Sequence, residues 1–173
     1  MSFVLLLGGA RSGKSSRAIE LARSWPGPVT VVATAEAGDA EMAERIRLHQ
    51  AERSETWTTI EEPLDLAGAL SQIADDAAVI IECLSLWVAN MIARGDSDLE
   101  VEERALEAAG LASSRRSLTI AVSNEVGLGI VPANELGRRY RDLLGRVNAS
   151  WADAADETML VVAGRLLRLE SSR

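Results

Sequence analysis

Short apolar runs alternate along this chain with longer segments in which apolar positions recur every three or four residues. "FVLLL" (Phe3 to Leu7), "VTVVA" (Val29 to Ala33), "AVII" (Ala78 to Ile81), "LTIAV" (Leu118 to Val122) and "MLVVA" (Met159 to Ala163) are predicted as central strands. They are apolar nearly throughout, as strands covered on both faces must be. "WTTIEE" is a weaker strand between the second and third of these, and "LLRLE" a last edge strand. Helices are predicted over Ser15 to Ser24, Asp39 to Arg53, Leu64 to Ile73, Leu84 to Ala93, Leu99 to Ser114 and Glu135 to Ala154, with turns at "WPGP" and "ARGDSD". Strands alternating with helices predict an α/β fold, a mostly parallel sheet with helices on both faces. No repeat, low-complexity stretch or linker divides residues 1–173, so one domain is expected.

Composition narrows the functional classes. A chain of 173 residues with 47% hydrophobic and 25% charged residues is an ordinary globular domain. No apolar run approaches the roughly 20 residues of a membrane-spanning helix. The opening "MSFVLLLGGARSGK" lacks a basic stretch before its short apolar run, so it reads as a strand, and the cytoplasm is the expected location. One cysteine (Cys83) and one histidine (His49) exclude an internal disulfide and a Cys/His zinc cluster. A net charge of −8 argues against nucleic acid as a partner, while a local cluster for a small anion remains open. Lysine occurs once among 18 basic residues, at Lys14, so it needs a specific explanation.

The first strand runs directly into "GGARSGKSS", which satisfies Gly-x-x-x-x-Gly-Lys-Ser through Gly8, Gly13, Lys14 and Ser15. The glycines permit a tight turn whose N–H groups converge on phosphate oxygens, and the following helix aims its positive dipole end at them. Lys14 is expected on the β- and γ-phosphates and Ser15 on Mg²⁺. A carboxylate closing a neighbouring strand completes such a site, and "AVIIECL" puts Glu82 there. Glutamate exceeds the usual aspartate by one methylene, so contact with the metal through water is expected. Parallel sheets bind ligands at the carboxyl ends of their strands. "TAEAGD", "EEP" around Glu61 and Glu62, and "SNEVGLGIVP" all fall on that edge.

His49 belongs to the predicted helix that Asp39 caps. Met42, Ile46, His49 and Arg53 follow i, i+4, i+7, i+11 spacing, which puts the histidine on the inward stripe, with Arg45 and Arg53 each four residues away. A histidine satisfied by a carbonyl is one reading. With a nucleotide on the P-loop, the other is a nucleophile aimed at phosphorus, its flanking arginines neutralising phosphate charge. "NEVGLGIVP" is read as a glycine-hinged loop or a segment over the acceptor, with Asn124 and Glu125 as candidate contacts. The arginines of "LGRRYRDLLGR" are read as a solvated face or subunit contact, and Trp57, Trp87 and Trp151 as core or interface residues.

The ordered set "GGARSGKS", "DAEMAERIRLHQAERSETW", "EEP", "ECLSLW..N" and "SNEVGLGIVPANELGRRYRDLLGRVN" resembles the bifunctional adenosylcobinamide kinase and adenosylcobinamide-phosphate guanylyltransferase family of cobalamin biosynthesis. The resemblance implies a RecA-like P-loop NTPase fold and a homotrimer. It implies two reactions: a nucleoside triphosphate, ATP or GTP, phosphorylates adenosylcobinamide, and GTP then transfers GMP onto adenosylcobinamide phosphate with loss of pyrophosphate. It implies a guanylylated intermediate on His49. It further implies nucleotide contacts from Gly8, Gly9, Ala10, Arg11, Ser12, Gly13, Lys14 and Ser15, from Ala33, Thr34 and Ala35, from Gln50, Ala51, Glu52 and Arg53, and from Glu61 and Glu82. Ser54, where the family commonly has proline, leaves the end of the histidine helix less sharply fixed. Glu82, Ala149 and the pair Leu166 and Leu167 are further departures. Two other readings stay open from the residues alone: a P-loop kinase of a small metabolite with no use for a nucleophilic histidine, and a GTP-binding switch without turnover.

Overall fold

The computed structural model describes residues 3–38 and 40–171, apart from the side chains of Glu41, Met42 and Arg45. The elements run β1 (Phe3–Gly8), α1 (Lys14–Arg23), β2 (Val29–Ala33), α2 (Ala40–Ala51), β3 (Thr58–Glu61), α3 (Leu66–Gln72) and β4 (Ala78–Glu82). They continue with α4 (Leu84–Arg94), α5 (Asp98–Ser114), β5 (Thr119–Asn124), α6 (Glu135–Ala154), β6 (Glu157–Val162) and β7 (Arg165–Leu169). The strands form a 7-stranded sheet in the order β3-β2-β4-β5-β1-β6-β7. All neighbours are parallel except β6 and β7. No described helix is long and apolar enough to cross a membrane.

Alternation along the strands sorts the core into two layers, because successive strand residues point to opposite faces. Leu5, Leu7, Val32, Val79, Ile81 and Ala121 meet side chains of α3, α4, α5 and α6, among them Leu70, Trp87, Ala108, Leu144 and Trp151. Val4, Leu6, Val31, Ile80, Ile120 and Val122 face the other way, where α1 supplies Ala18 and Ala22. One face thus carries four helices, and the other is covered chiefly by α1. Among its described residues, α2 buries none completely.

The thick layer contains the expected aromatic core. Trp87 is fully enclosed and donates Nε1–H to Leu64 O at 2.8 Å, while Trp151 meets Phe3 edge-on at 5.7 Å. Trp57 is half-buried against the α1-side layer. Arg115 is only 8% exposed and donates to the carbonyls of Leu70, Ile73, Ala74 and Ala77 at 2.8 to 3.4 Å. Burial lowers its pKa from the usual arginine value, and the carbonyl dipoles that end α3 offset the cost of enclosing the charge. The arginines of α6 do more than face solvent: Arg139 and Arg146 both reach Asp98 at 2.7 Å, tying α6 to α5.

Several boundaries differ from the pattern-based prediction for local reasons. α2 stops at Ala51, two residues before the predicted end at Arg53, as Arg53 N–H turns back to Gln50 O at 3.2 Å. Asp39, predicted as its cap, and the side chains of Met42 and Arg45 lie outside the described residues. α3 starts at Leu66 rather than Leu64, since Asp65 is its N-cap and accepts from Gly68 N–H at 3.0 Å. Ala163 is not in a strand: with Gly164 it takes φ 49° and 71°, the two positive values of a two-residue hairpin turn. β6 therefore ends at Val162 and pairs back onto β7 from Arg165.

Candidate functional site

The P-loop closes β1 and opens α1. Gly8 takes φ 153°, and a Cβ there would collide with the Val161 carbonyl oxygen. Gly13 takes φ 103° as the N-cap of α1 and makes no side-chain cap hydrogen bond, so the first-turn N–H groups face the loop. Arg11, at φ 54°, is exposed with Gly9 and Ala10, whereas Ser12 is buried and donates its N–H to Gly9 O at 3.3 Å. Lys14 is buried at 7% exposure, and its Nζ donates to Gly9 O at 2.6 Å and to Ser12 Oγ at 3.4 Å, suspending the ammonium over the loop. Ser15 lies half-buried in the first turn of α1. Two neighbouring turns brace the loop: Glu125 N–H donates to Gly8 O at 3.0 Å, and Gly164 N–H to Ser12 O at 2.8 Å.

Three adjacent strands end in one row beside it. Glu61 of β3 and Glu82 of β4 are both in register with Ala33 of β2. In-register residues of parallel strands share a face, and here it is the α1 face. The row is pinned from behind by Thr34, which is fully buried. Its N–H donates to Glu82 O at 3.0 Å and its hydroxyl to Cys83 O at 2.7 Å, while Cys83 N–H returns a bond to that hydroxyl at 2.8 Å. Asn90 donates its amide N–H groups to Thr34 O at 2.8 Å and Pro63 O at 3.2 Å, joining α4 to the ends of β2 and β3. Burial pushes the Cys83 thiol pKa up, which keeps it protonated beside Ser85.

α2 delivers its last turn to the same row. Arg53, with a side chain 8% exposed, places Nη2 3.3 Å from Glu82 Oε2. His49 Nδ1 stands 3.7 Å from Glu82 Oε1. Both facing atoms are buried, and neither has a hydrogen-bond partner among the described residues. Arg53 Nη1 also reaches Thr59 Oγ1 on β3 at 3.3 Å. The histidine is therefore inward-facing, but against a carboxylate closing a strand rather than an apolar core or a backbone carbonyl. Arg53, expected to neutralise phosphate charge, is paired with that carboxylate in this structure.

The edge thus brings together Gly8 to Ser15, Ala33 to Ala35, His49, Arg53 and Glu82. Gln50, Ala51 and Glu52 are exposed on the last turn of α2 and beyond, and Glu52 contributes its carbonyl to Arg23 Nη2 at 3.2 Å. Glu61 is exposed at the outer end of the row. Sequence reasoning missed the bracing by Asn90 and Asn148. Asn148 accepts from Ser123 Oγ at 2.6 Å and donates to Asn124 O at 3.0 Å, fixing the start of the "NEVGLGIVP" loop. A buried asparagine in an otherwise apolar helix stripe was the available signal. Beyond Glu125, whose carboxylate accepts from Gly127 N–H, the loop exposes Leu128, Ile130 and Val131.

The residues fit a magnesium ion that relies on its nucleotide. Among the described residues no group of three or more His, Cys, Asp and Glu side chains forms a metal cage. Mg²⁺ does not require one, since it commonly binds through one or two protein oxygens together with phosphates and water. Ser15 offers a hydroxyl at the P-loop. Glu82 offers only what Arg53 and His49 leave free, which suits a contact through water.

The sequence model of the family described as cobinamide kinase / cobinamide phosphate guanyltransferase matches residues 4–169. A bifunctional adenosylcobalamin biosynthesis protein of Pseudomonas aeruginosa is 44% identical over 163 residues, covering 92% of each chain. Another, from Salmonella typhimurium, is 40% identical over 174 residues, 93% of this chain and 96% of that one. Likeness to solved structures is of fold alone. A type III secretion ATPase aligns with 92% of this chain and 50% of its own at TM-score 0.54 and 9% identity, and a Pyrococcus horikoshii protein aligns with 99% and 87% at 0.52 and 10%.

Proposed function

The chain belongs to the cobinamide kinase / cobinamide phosphate guanyltransferase family, and from that premise we propose that both reactions run on the one sheet edge shared by the P-loop and His49. The protein is a bifunctional kinase and guanylyltransferase of adenosylcobalamin biosynthesis. The observation that carries the one-edge reading is the convergence of Lys14, His49 and Arg53 on the carboxyl ends of β1 and β4.

In the kinase step, the P-loop N–H groups and Lys14 hold the β- and γ-phosphates while the corrinoid hydroxyl attacks the γ-phosphorus; the bond to the β–γ bridging oxygen breaks, the nucleoside diphosphate leaves with the electron pair, and the hydroxyl proton passes to solvent. Ser15, with Glu82 through water, would hold Mg²⁺ beside the phosphates, where the ion would neutralise charge on the transferring group. In the transferase step, His49 attacks the α-phosphorus of GTP. An N–P bond forms, the bond to the bridging oxygen breaks, and pyrophosphate leaves with the electron pair. A phosphate oxygen of adenosylcobinamide phosphate then attacks the same phosphorus, and the N–P electron pair returns to the imidazole. Splitting one displacement into two gives each step an activated partner.

Ala33 to Ala35, Gln50 to Glu52 and Glu61 surround this path as further nucleotide contacts. Leu128, Ile130, Val131 and Leu136, together with Leu166 and Leu167 on β7, are large exposed apolar residues. They support association with further copies of this chain, which we read as a homotrimer; a cytoplasmic location and a single domain complete the proposal. Product analysis tests the reading. His49→Ala supplied with adenosylcobinamide, ATP and GTP is expected to stop at adenosylcobinamide phosphate; formation of adenosylcobinamide-GDP by that variant overturns it.

A further inference from the structure

The identity of the attacking nitrogen follows from what His49 faces. Glu82 ends β4 with its side chain 13% exposed, its Oε2 beside Arg53 Nη2 at 3.3 Å and its Oε1 beside His49 Nδ1 at 3.7 Å. The histidine side chain is 32% exposed, yet Nδ1 is enclosed and meets no other polar partner. An ionised carboxylate only accepts hydrogen bonds, so the ring nitrogen turned toward it is the one carrying hydrogen. In neutral imidazole the lone pair then sits on the other nitrogen. We propose that guanylylation occurs at Nε2 of His49, and that Glu82 is the positioning residue that fixes the ring and its tautomer. The proposal rests on His49 being the nucleophile.

The chemistry favours this arrangement at each stage. Attack through Nε2 leaves the hydrogen on Nδ1, and no proton has to depart as the N–P bond forms and the pyrophosphate oxygen takes the bonding pair. The resulting N-phosphorylated ring carries positive charge, which the enclosed Glu82 carboxylate faces directly. Attack through Nδ1 would require the ring to turn over and would bring the α-phosphate against a carboxylate, a contact between like charges in a poorly solvated place. Arg53 holds the other oxygen of Glu82 and is itself anchored on Thr59, so the carboxylate is fixed relative to the sheet rather than to α2.

The test determines the isomer of the adduct. The full chain is incubated with Mg²⁺ and GTP labelled at the α-phosphorus, digested in alkali after removal of the nucleoside, and the phosphohistidine is compared with the Nδ1 and Nε2 standards. Label on Nε2 of His49 is expected. Label on Nδ1 overturns the proposal while leaving His49 as nucleophile, whereas label absent from His49 overturns the reading beneath it. Single-turnover labelling of Glu82→Ala and Glu82→Gln addresses positioning. The alanine variant is expected to form the adduct about 10- to 100-fold more slowly at saturating GTP, and glutamine, whose amide oxygen also faces Nδ1–H as an acceptor, to recover part of that loss. Labelling of the alanine variant at the wild-type rate, or an equal loss in both variants, overturns the role of Glu82.

Discussion

The P-loop is fastened to the sheet mainly by backbone: Gly8 and Ser12 carbonyls accept from Glu125 and Gly164 N–H groups, and Gly13 leads directly into α1. The turn of α2 that carries His49 is fastened mainly by side chains: Arg53 to Glu82 and Thr59, and Arg23 to the Glu52 carbonyl. The first region inherits rigidity from a core element whose strand is buried from end to end. The second rests on a helix with no completely buried described residue. Phosphate binding to the loop therefore draws on N–H groups that any sequence supplies once the glycines permit the turn. Nucleophilic attack depends on a few named side chains meeting across 29 to 33 residues of separation. Damage to the two regions should differ in kind.

The largest expected effect is on the loop's single chemical side chain. Lys14→Ala should lower kinase turnover by about 10²- to 10³-fold, the cost of removing one preorganised charge from developing phosphate charge, while thermal unfolding barely moves. A phosphorylation assay with ATP and adenosylcobinamide measures it, and near-normal turnover would break the assignment of the loop. Next comes the packed face opposite α1, at the end of α3. Arg115→Leu removes the donors that Arg115 supplies to the Leu70, Ile73, Ala74 and Ala77 carbonyls, of which Ile73 O depends most on it, and should cost about 2–4 kcal/mol of stability, read by chemical denaturation, with turnover per folded molecule retained below the transition. Loss of turnover without loss of stability would mean that Arg115 acts on the site instead. Smallest is the α2 tether. Arg53→Ala should slow adduct formation about tenfold through lost orientation, with the kinase step less affected. An equal loss in both reactions would remove the distinction between the two regions.

What could be read from sequence follows the same division. The strands of the buried sheet were legible because apolar residues on both faces leave few alternatives, and α6 was predicted to the residue because Asn134 and the apolar stripe of Leu143, Leu144, Val147 and Trp151 mark it. Gly8, Gly13, Lys14 and Ser15 were legible because their spacing is local and each has its own steric or electrostatic reason. The inward direction of His49 was legible from helical period. Its partner was not, since meeting Glu82 depends on how β4 and α2 come together in space. The same holds for the pairing of Arg53 with Glu82, and for Asn90 and Thr34, whose bonds join elements 56 residues apart. The end of α2 was overestimated because Arg53 continues the stripe while its backbone has already turned. Ala163 was given to a strand because alanine carries no mark of the positive φ it adopts.

The central claim is that one sheet edge serves phosphoryl transfer through the P-loop and guanylyl transfer through a covalent histidine. It is tested most directly by denaturing the protein after incubation with Mg²⁺ and α-labelled GTP and locating the retained label. One acid-labile, alkali-stable GMP per chain on the peptide containing His49, absent in His49→Ala and discharged by adenosylcobinamide phosphate, is the predicted result. GTP that binds but leaves no label on His49 would contradict the account and reduce the edge to a kinase site.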